Sequence, residues 1–271
     1  RWSELLLVRE RFVQARTRTL ACVIRRHRRM VLAGAGNLIS GNHWFQGDNV
    51  TDGPRVAGLV LTYPNVKSVI TGNYIDNSFI EWTNEHEPDP SNPGGFGFAG
   101  LSITNNVMLC SEVSQMFSPI LWKPFGTGHI INGLNVSGNT FRCVGGTIFR
   151  AERIDTSEGA VLKDKMKNIY FTGNTYHNVE YGSSNPLVVT HSQNTAEQVW
   201  EIETENRLPF EGQSIEVESV VTRSRPRNSS NLSRYDMPYA QVGFGGQQDR
   251  VRLTWAEAMI GDVTVSVRMD K

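Results

Sequence analysis

Residues 68–73 read Ser68-Val69-Ile70-Thr71-Gly72-Asn73, and this pattern of residue types occurs five times along the 271-residue chain. In each copy an apolar residue is followed by Ser or Thr, then by Gly or Asn, and then by a final Asn. The other four copies are 37–42, 101–106, 134–139 and 169–174. Consecutive final asparagines are 31, 33, 33 and 35 residues apart. A period this even predicts a solenoid in which each copy belongs to one coil.

The residues around each final Asn are also alike from copy to copy. The residue directly before it is Gly in four copies and Asn105 in the fifth, and both residue types tolerate the positive φ of a bend. Apolar residues three positions before and two positions after the Asn are predicted to point inward. They are Ile39, Ile70, Ile103, Val136 and Phe171 before it, and Trp44, Ile75, Met108, Phe141 and Tyr176 after it.

Short strands on both sides of a bend, without a helical period between them, predict an all-β, right-handed parallel β-helix with coils about 4.8 Å apart. Exposed hairpin turns are the alternative interpretation of a Gly-Asn sequence. Hairpins would not preserve apolar columns on both sides of the turn at a constant period. We therefore favour the β-helix.

The repeated Asn predicts a ladder, because an amide side chain both donates and accepts hydrogen bonds and can bond to the same residue in adjacent coils. Burying these groups without partners would cost about 1–3 kcal/mol each. The same register places Cys110 over Cys143 as a column of small, buried free thiols. Gln46, Asn77 and Asn178 are expected in that column in the other coils.

The sequence divides into three parts. Residues 1–30 are predicted to be an irregular N-terminal cap or a truncated first coil, 31–200 the β-helix, and 201–271 a small antiparallel β domain resembling a sandwich. That domain is expected to cover the open edge of the last coil, which would otherwise favour aggregation. Its predicted strands alternate with period two and are 214–220, 250–255 and 263–268.

Composition restricts the possible partners. The chain has 27 basic and 27 acidic residues, and nine arginines lie in residues 1–30. We expect no nucleic-acid partner, because this segment lacks interleaved aromatic residues. The apolar runs 5–8 and 20–24 are too short to span a bilayer. The three cysteines form no C-x-x-C pair, so neither a disulfide framework nor a structural zinc site is expected.

On the repeated Ile-Thr-Gly-Asn at 70–73 and its copies, residues 31–200 resemble the pectate-lyase-like superfamily of right-handed β-helices. This superfamily includes phage tailspikes and proteins related to polygalacturonases. The resemblance implies an extracellular, cell-surface or virion location, and the tailspike arrangement implies a homotrimer. It supplies no catalytic residues. Gly126-Thr127-Gly128-His129 is similar to the Gly-His-Gly motif of polygalacturonases, but the Asp-Asp pair of that family is missing.

The richest interruption of the repeat, 81–100, predicts an acidic loop between the second and third coils. Glycoside cleavage commonly uses two carboxylates about 5–9.5 Å apart, and an aromatic side chain can stack on a sugar ring. Acids and a Trp one coil earlier are expected on the same side. The candidate catalytic residues are Glu81, Glu85 and Asp89, and the candidate substrate-binding residues are Trp44, Asp48, Asp52, Trp82 and His86.

Other interpretations of these residues remain. The alternative to a functional site at 81–100 is a solvated acidic loop without a function, whose Trp packs on the coil. Carboxylates from adjacent coils could bind Ca²⁺, but no spaced Asp-x-Asp motif is present, so we predict neither a metal site nor a cofactor. The histidines are scattered and predict no nucleophilic triad.

Three functions are compatible with the sequence. The first is a tailspike- or adhesin-like protein that binds an extended polysaccharide or cell-surface glycan along the solenoid face. The second is a polysaccharide lyase or glycoside hydrolase, and the third is a structural repeat module. A long groove of aromatic and amide side chains favours the first, whereas two acids facing each other across that groove favour the second.

Overall fold

The structure is a computed structural model that describes residues 18–20, 23–25, 30–46, 55–85, 87, 89 and 97–270. It is an all-β protein with a parallel β-solenoid and a small antiparallel sheet near the C-terminus. The predicted fold class is therefore confirmed. No helix in the described ranges is both long and apolar enough to cross a membrane.

Each coil contributes strands to three faces, and we number the strands in chain order. The strands before the Gly-Asn bend form the first face. They are β1 (Arg18–Leu20), β4 (Leu38–Ser40), the second half of β6 (Ala57–Thr71), β9 (Gly97–Thr104), β12 (Gly126–Ser137) and β16 (Lys167–Thr172).

The strands after the bend form the second face. They are β2 (Val23–Arg25), β5 (His43–Phe45), β7 (Tyr74–Asp76), β10 (Val107–Ser111), β13 (Thr140–Val144) and β17 (Thr175–His177). The third face consists of β3 (Met30–Ala35), the first half of β6, β8 (Phe79–Thr83), β11 (Ile120–Lys123) and β14 (Glu152–Ile154). A short strand, β15 (Gly159–Val161), pairs with the start of β12.

Strands of adjacent coils pair in parallel, and like residues lie next to like. Residues at both predicted inward positions are lateral neighbours along the stack. Nine of the ten predicted side chains are at most 1% exposed, and Tyr176 is half-buried and stacks on Phe141. The predicted core columns are confirmed.

The bends have the predicted backbone geometry. The residue before each ladder Asn has a φ between 54° and 68° in all five coils. At Gly138 a Cβ atom would lie 2.6 Å from the side-chain oxygen of Asn105, so a larger residue there would force a shift. The repeat pattern did not predict a second column of positive φ, which lies at the start of the first face. Its members are Lys67, Gly100, Gly133 and Asn168.

The asparagine ladder is present and continuous from Asn42 to Asn174. In each step the Oδ1 atom of one Asn accepts from both the backbone N–H and the Nδ2 of the Asn one coil earlier, at 2.9–3.1 Å. The Nδ2 also donates to a carbonyl oxygen of the preceding coil, as from Asn139 to Ile103 at 2.8 Å. Every ladder link therefore joins two coils through both side chain and main chain.

The predicted thiol column is also present. Cys110 and Cys143 are register partners, and both are free and buried. Burial raises the pKa of the Cys110 thiol, so it remains protonated. The neighbouring coils continue the column, because Asn77 donates its N–H to Leu109 at 2.9 Å and Asn178 donates its amide to Cys143 at 2.9 Å.

The N-terminal range contributes strands to the stack. β1 pairs in parallel with β4, and β2 pairs in parallel with β5. The described part of this range therefore adds a coil before the first Ser-Gly-Asn copy. Residues 1–17, 21–22 and 26–29 lie outside the described residues.

The C-terminal sheet is antiparallel and is built around one long strand. It comprises β18 (Leu187–Ile202), β19 (Glu216–Thr222), β20 (Arg227–Asn228), β21 (Tyr239–Phe244) and β22 (Arg250–Arg268). β22 pairs with all the others and contains two of the predicted strands in a single element. β18 begins within the range expected for the β-helix, so the expected boundary at residue 200 falls inside a strand.

Residues 269–270, which follow β22, form hydrogen bonds with the last described coil. The Asp270 carboxylate accepts from the backbone N–H of Ile169 and from the Asn185 amide, both at 2.8 Å. Asn185 in turn donates to the Ile169 carbonyl at 2.6 Å and accepts from the Met269 N–H at 3.1 Å. These bonds satisfy polar groups of β16 that have no further coil to pair with.

We predict that Asn139→Ala lowers the free energy of unfolding by about 1–3 kcal/mol, because it leaves buried polar groups of two coils without partners. Urea unfolding followed by circular dichroism measures the change. The control is Asn135→Ala, at a half-buried, outward position on β12 four residues before Asn139, which should change stability little. A loss for Asn139→Ala no larger than for the control would contradict the ladder's contribution.

Candidate functional site

The acids of the predicted loop lie at one corner of the solenoid. Glu81 faces outward on β8, with Val60 and Leu121 as register partners in the neighbouring coils. Glu85 and Asp89 are exposed after the end of this strand. All three candidate catalytic acids lie on β8 or within six residues after its end. Asp48, Asp52 and His86 lie outside the described residues.

The two candidate tryptophans are core residues. Trp44 is 1% exposed and Trp82 is 2% exposed. The Trp82 ring lies 5.1 Å from the rings of both Phe98 and Trp122. Each indole occupies an inward position of its strand, so neither offers a face to a sugar. This corrects the expectation that Trp44 and Trp82 contact a substrate.

A buried amide connects the acidic loop to the motif at 126–129. Asn84 accepts from the Phe125 N–H at 2.7 Å and donates to the Phe125 carbonyl at 3.0 Å and to Glu87 at 2.8 Å. His129 is 2% exposed, and its Nε2 atom contacts the Phe125 carbonyl oxygen. These contacts fix the corner of the coil and hold Glu87 in place. In the described ranges no group of three His, Cys, Asp or Glu residues could hold a metal ion.

Two adjoining cavities lie on the outside of the third face. A cavity of about 430 Å³ is lined in part by Arg55, Phe79, Glu112 and Leu121. A second cavity, of about 470 Å³, is lined in part by Phe149, Arg150, Tyr181, Leu208, Glu211 and Asp249. Met116, Ser118 and Arg153 line both cavities, so the two meet. We call this combined surface the axial groove.

The axial groove follows the stack because its residues come from successive coils. Arg55 precedes the first half of β6, Phe79 begins β8, and Tyr181 follows β17. Leu121 and Arg153 are register partners on β11 and β14. Four coil spacings of about 4.8 Å give a length of roughly 19 Å.

One wall of the groove is the connection 112–119 between β10 and β11. The ring of Phe117 packs edge-on against Phe79 at 6.1 Å. The N–H of Phe149 donates to the Gln115 carbonyl at 2.9 Å. Phe117 also packs on the small cluster that contains the two buried cysteines. The wall is therefore attached both to the core and to the next coil.

Arg150 lines the second cavity, and the buried Glu152 lies next to it. Arg150 is 6% exposed and lies 3.6 Å from carboxylate oxygens of both Glu152 and Glu211. It also donates to the carbonyl of Leu208 at 3.4 Å and contacts the carbonyl of Asn206. These bonds attach the segment that leads from the solenoid into the C-terminal sheet.

Glu152 is completely buried, and burial raises the pKa of its carboxyl group despite the nearby Arg150. One carboxylate oxygen accepts from the Ser183 hydroxyl and from the Phe210 N–H. The other has no hydrogen-bond partner within the described part of the chain. Glu152 takes the inward position that Ile80 and Ile120 occupy in earlier coils, so a polar group replaces an apolar one at the end of the core.

Comparisons with known proteins give little beyond the fold. No protein-family model matches the chain, and the search of curated proteins found no match. A search of solved structures found the crystal structure of the tailspike gp61 of Pseudomonas phage phi297. The identity is 12% and the TM-score 0.45, with 92% of this chain and 44% of that chain covered. This chain thus spans less than half of that tailspike, and we transfer no residue role or activity from it.

We predict that Glu152→Gln reduces the pH dependence of stability. The ordinary pKa of a Glu carboxyl group is 4.5, and above that pH the unfolded chain releases this proton. Because the pKa is raised in the folded state, folded Glu152 keeps the proton. The wild type should therefore lose stability as the pH rises above that value, and the uncharged amide should not. Urea unfolding between about pH 4.5 and pH 8 measures the difference. The control is Glu158→Gln at an exposed position, and parallel curves for Glu152→Gln and wild type would contradict the prediction.

Proposed function

We propose that the protein binds an extended polysaccharide lengthwise in the axial groove. The observation that supports this most is the continuity of the two cavities across successive coils, because a linear polymer needs a long, open site. A site for one small molecule would be more enclosed and confined to one coil. The groove has apolar and polar lining residues together, as carbohydrate sites require.

The lining chemistry suits sugars. The half-buried Phe117, Phe149 and Tyr181 and the exposed Met116 offer apolar surface to the C–H faces of sugar rings. The Arg150 guanidinium lies 5.2 Å from the centre of the Tyr181 ring, which positions that ring at the groove edge. Hydroxyl groups of a glycan would find partners among polar lining residues, which include Gln115, Ser118, Asn206, Gln247 and Asp249.

The biological setting belongs to the same proposal. A tailspike- or adhesin-like protein would meet its glycan outside the cell, at a cell surface or on a virion. Self-association, as a homotrimer, is part of this proposal. Tyr235 and Tyr239, near and at the start of β21, are 79% and 67% exposed. Large exposed aromatic side chains are common where proteins associate.

Cleavage of the bound glycan is the second candidate function. Glu81 faces outward one strand away from Leu121 of the axial groove, and the exposed Glu85 and Asp89 follow it. Glu81, Glu85 and Asp89 therefore stay the proposed catalytic acids. Binding alone and binding with cleavage differ in whether new sugar ends are released.

We predict that Tyr181→Ala weakens binding at least about tenfold, a loss of about 1.4 kcal/mol, because the ring is an edge of the groove. A glycan array identifies a bound polysaccharide, and isothermal titration calorimetry then measures its affinity for each variant. Tyr170→Ala, at an exposed position on β16, is the matched control and should bind like wild type. Equal affinity of Tyr181→Ala and wild type would place the glycan elsewhere.

The enzyme hypothesis has its own test. If the bound polysaccharide is cleaved, replacing Glu81 and Glu85 together by Gln should abolish the release of reducing ends or unsaturated sugars. The same double variant should still bind the polysaccharide, because the residues that line the two cavities are unchanged. Unchanged product formation would exclude these acids as the catalytic centre.

A further inference from the structure

Arg153 occupies the junction of the axial groove. It lies on β14, is half-buried, and lines both cavities. Its register partner on the preceding coil is the apolar Leu121. The guanidinium therefore stands beside apolar surface at the midpoint of the groove, where any ligand that spans both cavities must pass.

Arg153 lacks the partners that the other groove arginines have. Its Nε atom is buried and has no hydrogen-bond acceptor among the described residues. By contrast, Arg150 lies 3.6 Å from oxygens of both Glu152 and Glu211, and Arg55 donates to the Ser111 carbonyl at 3.3 Å. Buried donors in folded proteins are nearly always bonded, and an exception calls for an explanation such as an absent ligand. The hydrogen-bonding capacity of the Arg153 side chain is therefore not fully used within the described part of the chain.

The charge of Arg153 is only partly offset, because it interacts electrostatically with Asp155 but forms no ion pair in the described ranges. In the first cavity Arg55 and Arg153 face a single acid, the exposed Glu112. In the second cavity the Glu211 carboxylate is paired with Arg150, and Asp249 accepts from the Thr204 hydroxyl at 3.2 Å. Asp155 follows on the same segment and accepts from the Ser157 N–H at 3.1 Å. Within the described ranges, no carboxylate forms an ion pair with Arg153.

We infer that Arg153 binds an anionic substituent of the glycan, such as a carboxylate or a phosphate or sulfate ester, at the middle of the axial groove. A guanidinium binds such oxyanions through two parallel N–H···O bonds. Apolar walls strengthen this contact by excluding water. The inference rests on the proposed glycan function and adds that one charged sugar residue sets the position of the polymer.

The direct test follows the Arg153 Nε–H signal by NMR while inorganic phosphate, sulfate, glucuronate or neutral glucose is added. The Arg153→Lys variant identifies the signal by its loss. We expect the three anions, but not glucose, to shift the signal saturably. Which anion binds most tightly then distinguishes a carboxylate from an ester. An Arg153 signal that no anion shifts, or that glucose shifts equally, would overturn the inference.

A second test uses the polysaccharide found for the wild type and a derivative whose acid groups have been reduced or removed. We expect the derivative to bind at least about tenfold more weakly to wild type, as for loss of a charged hydrogen bond. Arg153→Lys keeps the positive charge but lacks the planar guanidinium group. This variant should therefore lose most of the preference for the acidic polysaccharide over its derivative. Arg142→Lys, at an exposed site on β13, is the control and should keep it.

The two tests separate the inference from the proposal on which it rests. If the wild type binds a polysaccharide in the groove but binds the derivative equally well, the inference fails and the glycan function stands. If no polysaccharide binds the groove, the glycan function fails. An anion-specific shift of Arg153 would then still support an anion site, for a ligand other than a polymer.

Discussion

The register between coils is the constraint on which the rest of this structure depends. In a parallel solenoid the buried polar groups of each coil must form hydrogen bonds with the neighbouring coils. A coil has no hydrogen bonds of its own of the kind that a helix or a hairpin provides. The ladder from Asn42 to Asn174 does this with a single residue type, since each Oδ1 accepts two N–H groups from the neighbouring coil. A slip of one residue would bury Thr71 and its equivalents and expose the apolar columns. The ladder and the columns therefore specify the same register.

The sequence predicted the parts of the fold that repeat at constant spacing. The bend, the Asn ladder, both inward columns and the stacked cysteines all lie on two adjacent strands with a fixed connection. The third face was not predicted. The connections to it differ in length from coil to coil, being 77–78, 112–119 and 145–151, so its positions lose their period. The interpretation of Trp82 as a sugar platform was therefore wrong. Without a regular period on the third face, the sequence did not predict that Trp82 points inward on β8.

The candidate site lies where the repeat is irregular. The axial groove is formed by the third face, by the 112–119 connection and by the segment entering the C-terminal sheet. Its charged residues Arg150 and Arg153 do not belong to the repeat. The signal for this region in the sequence is a pair of charged residues, Arg150 and Glu152, within the predicted solenoid. The solenoid supplies a rigid, evenly spaced base. The irregular connections supply the shape and charge of the groove, as is common for functional loops on regular scaffolds.

The central claim is that successive coils lie in register through the asparagine side chains. NMR can measure it directly, as a scalar coupling transmitted through the hydrogen bond from the backbone nitrogen of Asn106 to the side-chain carbonyl carbon of Asn139. The structure places that nitrogen 2.9 Å from the Oδ1 atom, so a coupling should be observed there and at the equivalent pairs along the ladder. Couplings absent from all of these pairs, in a protein that is folded under the same conditions, would contradict the claim.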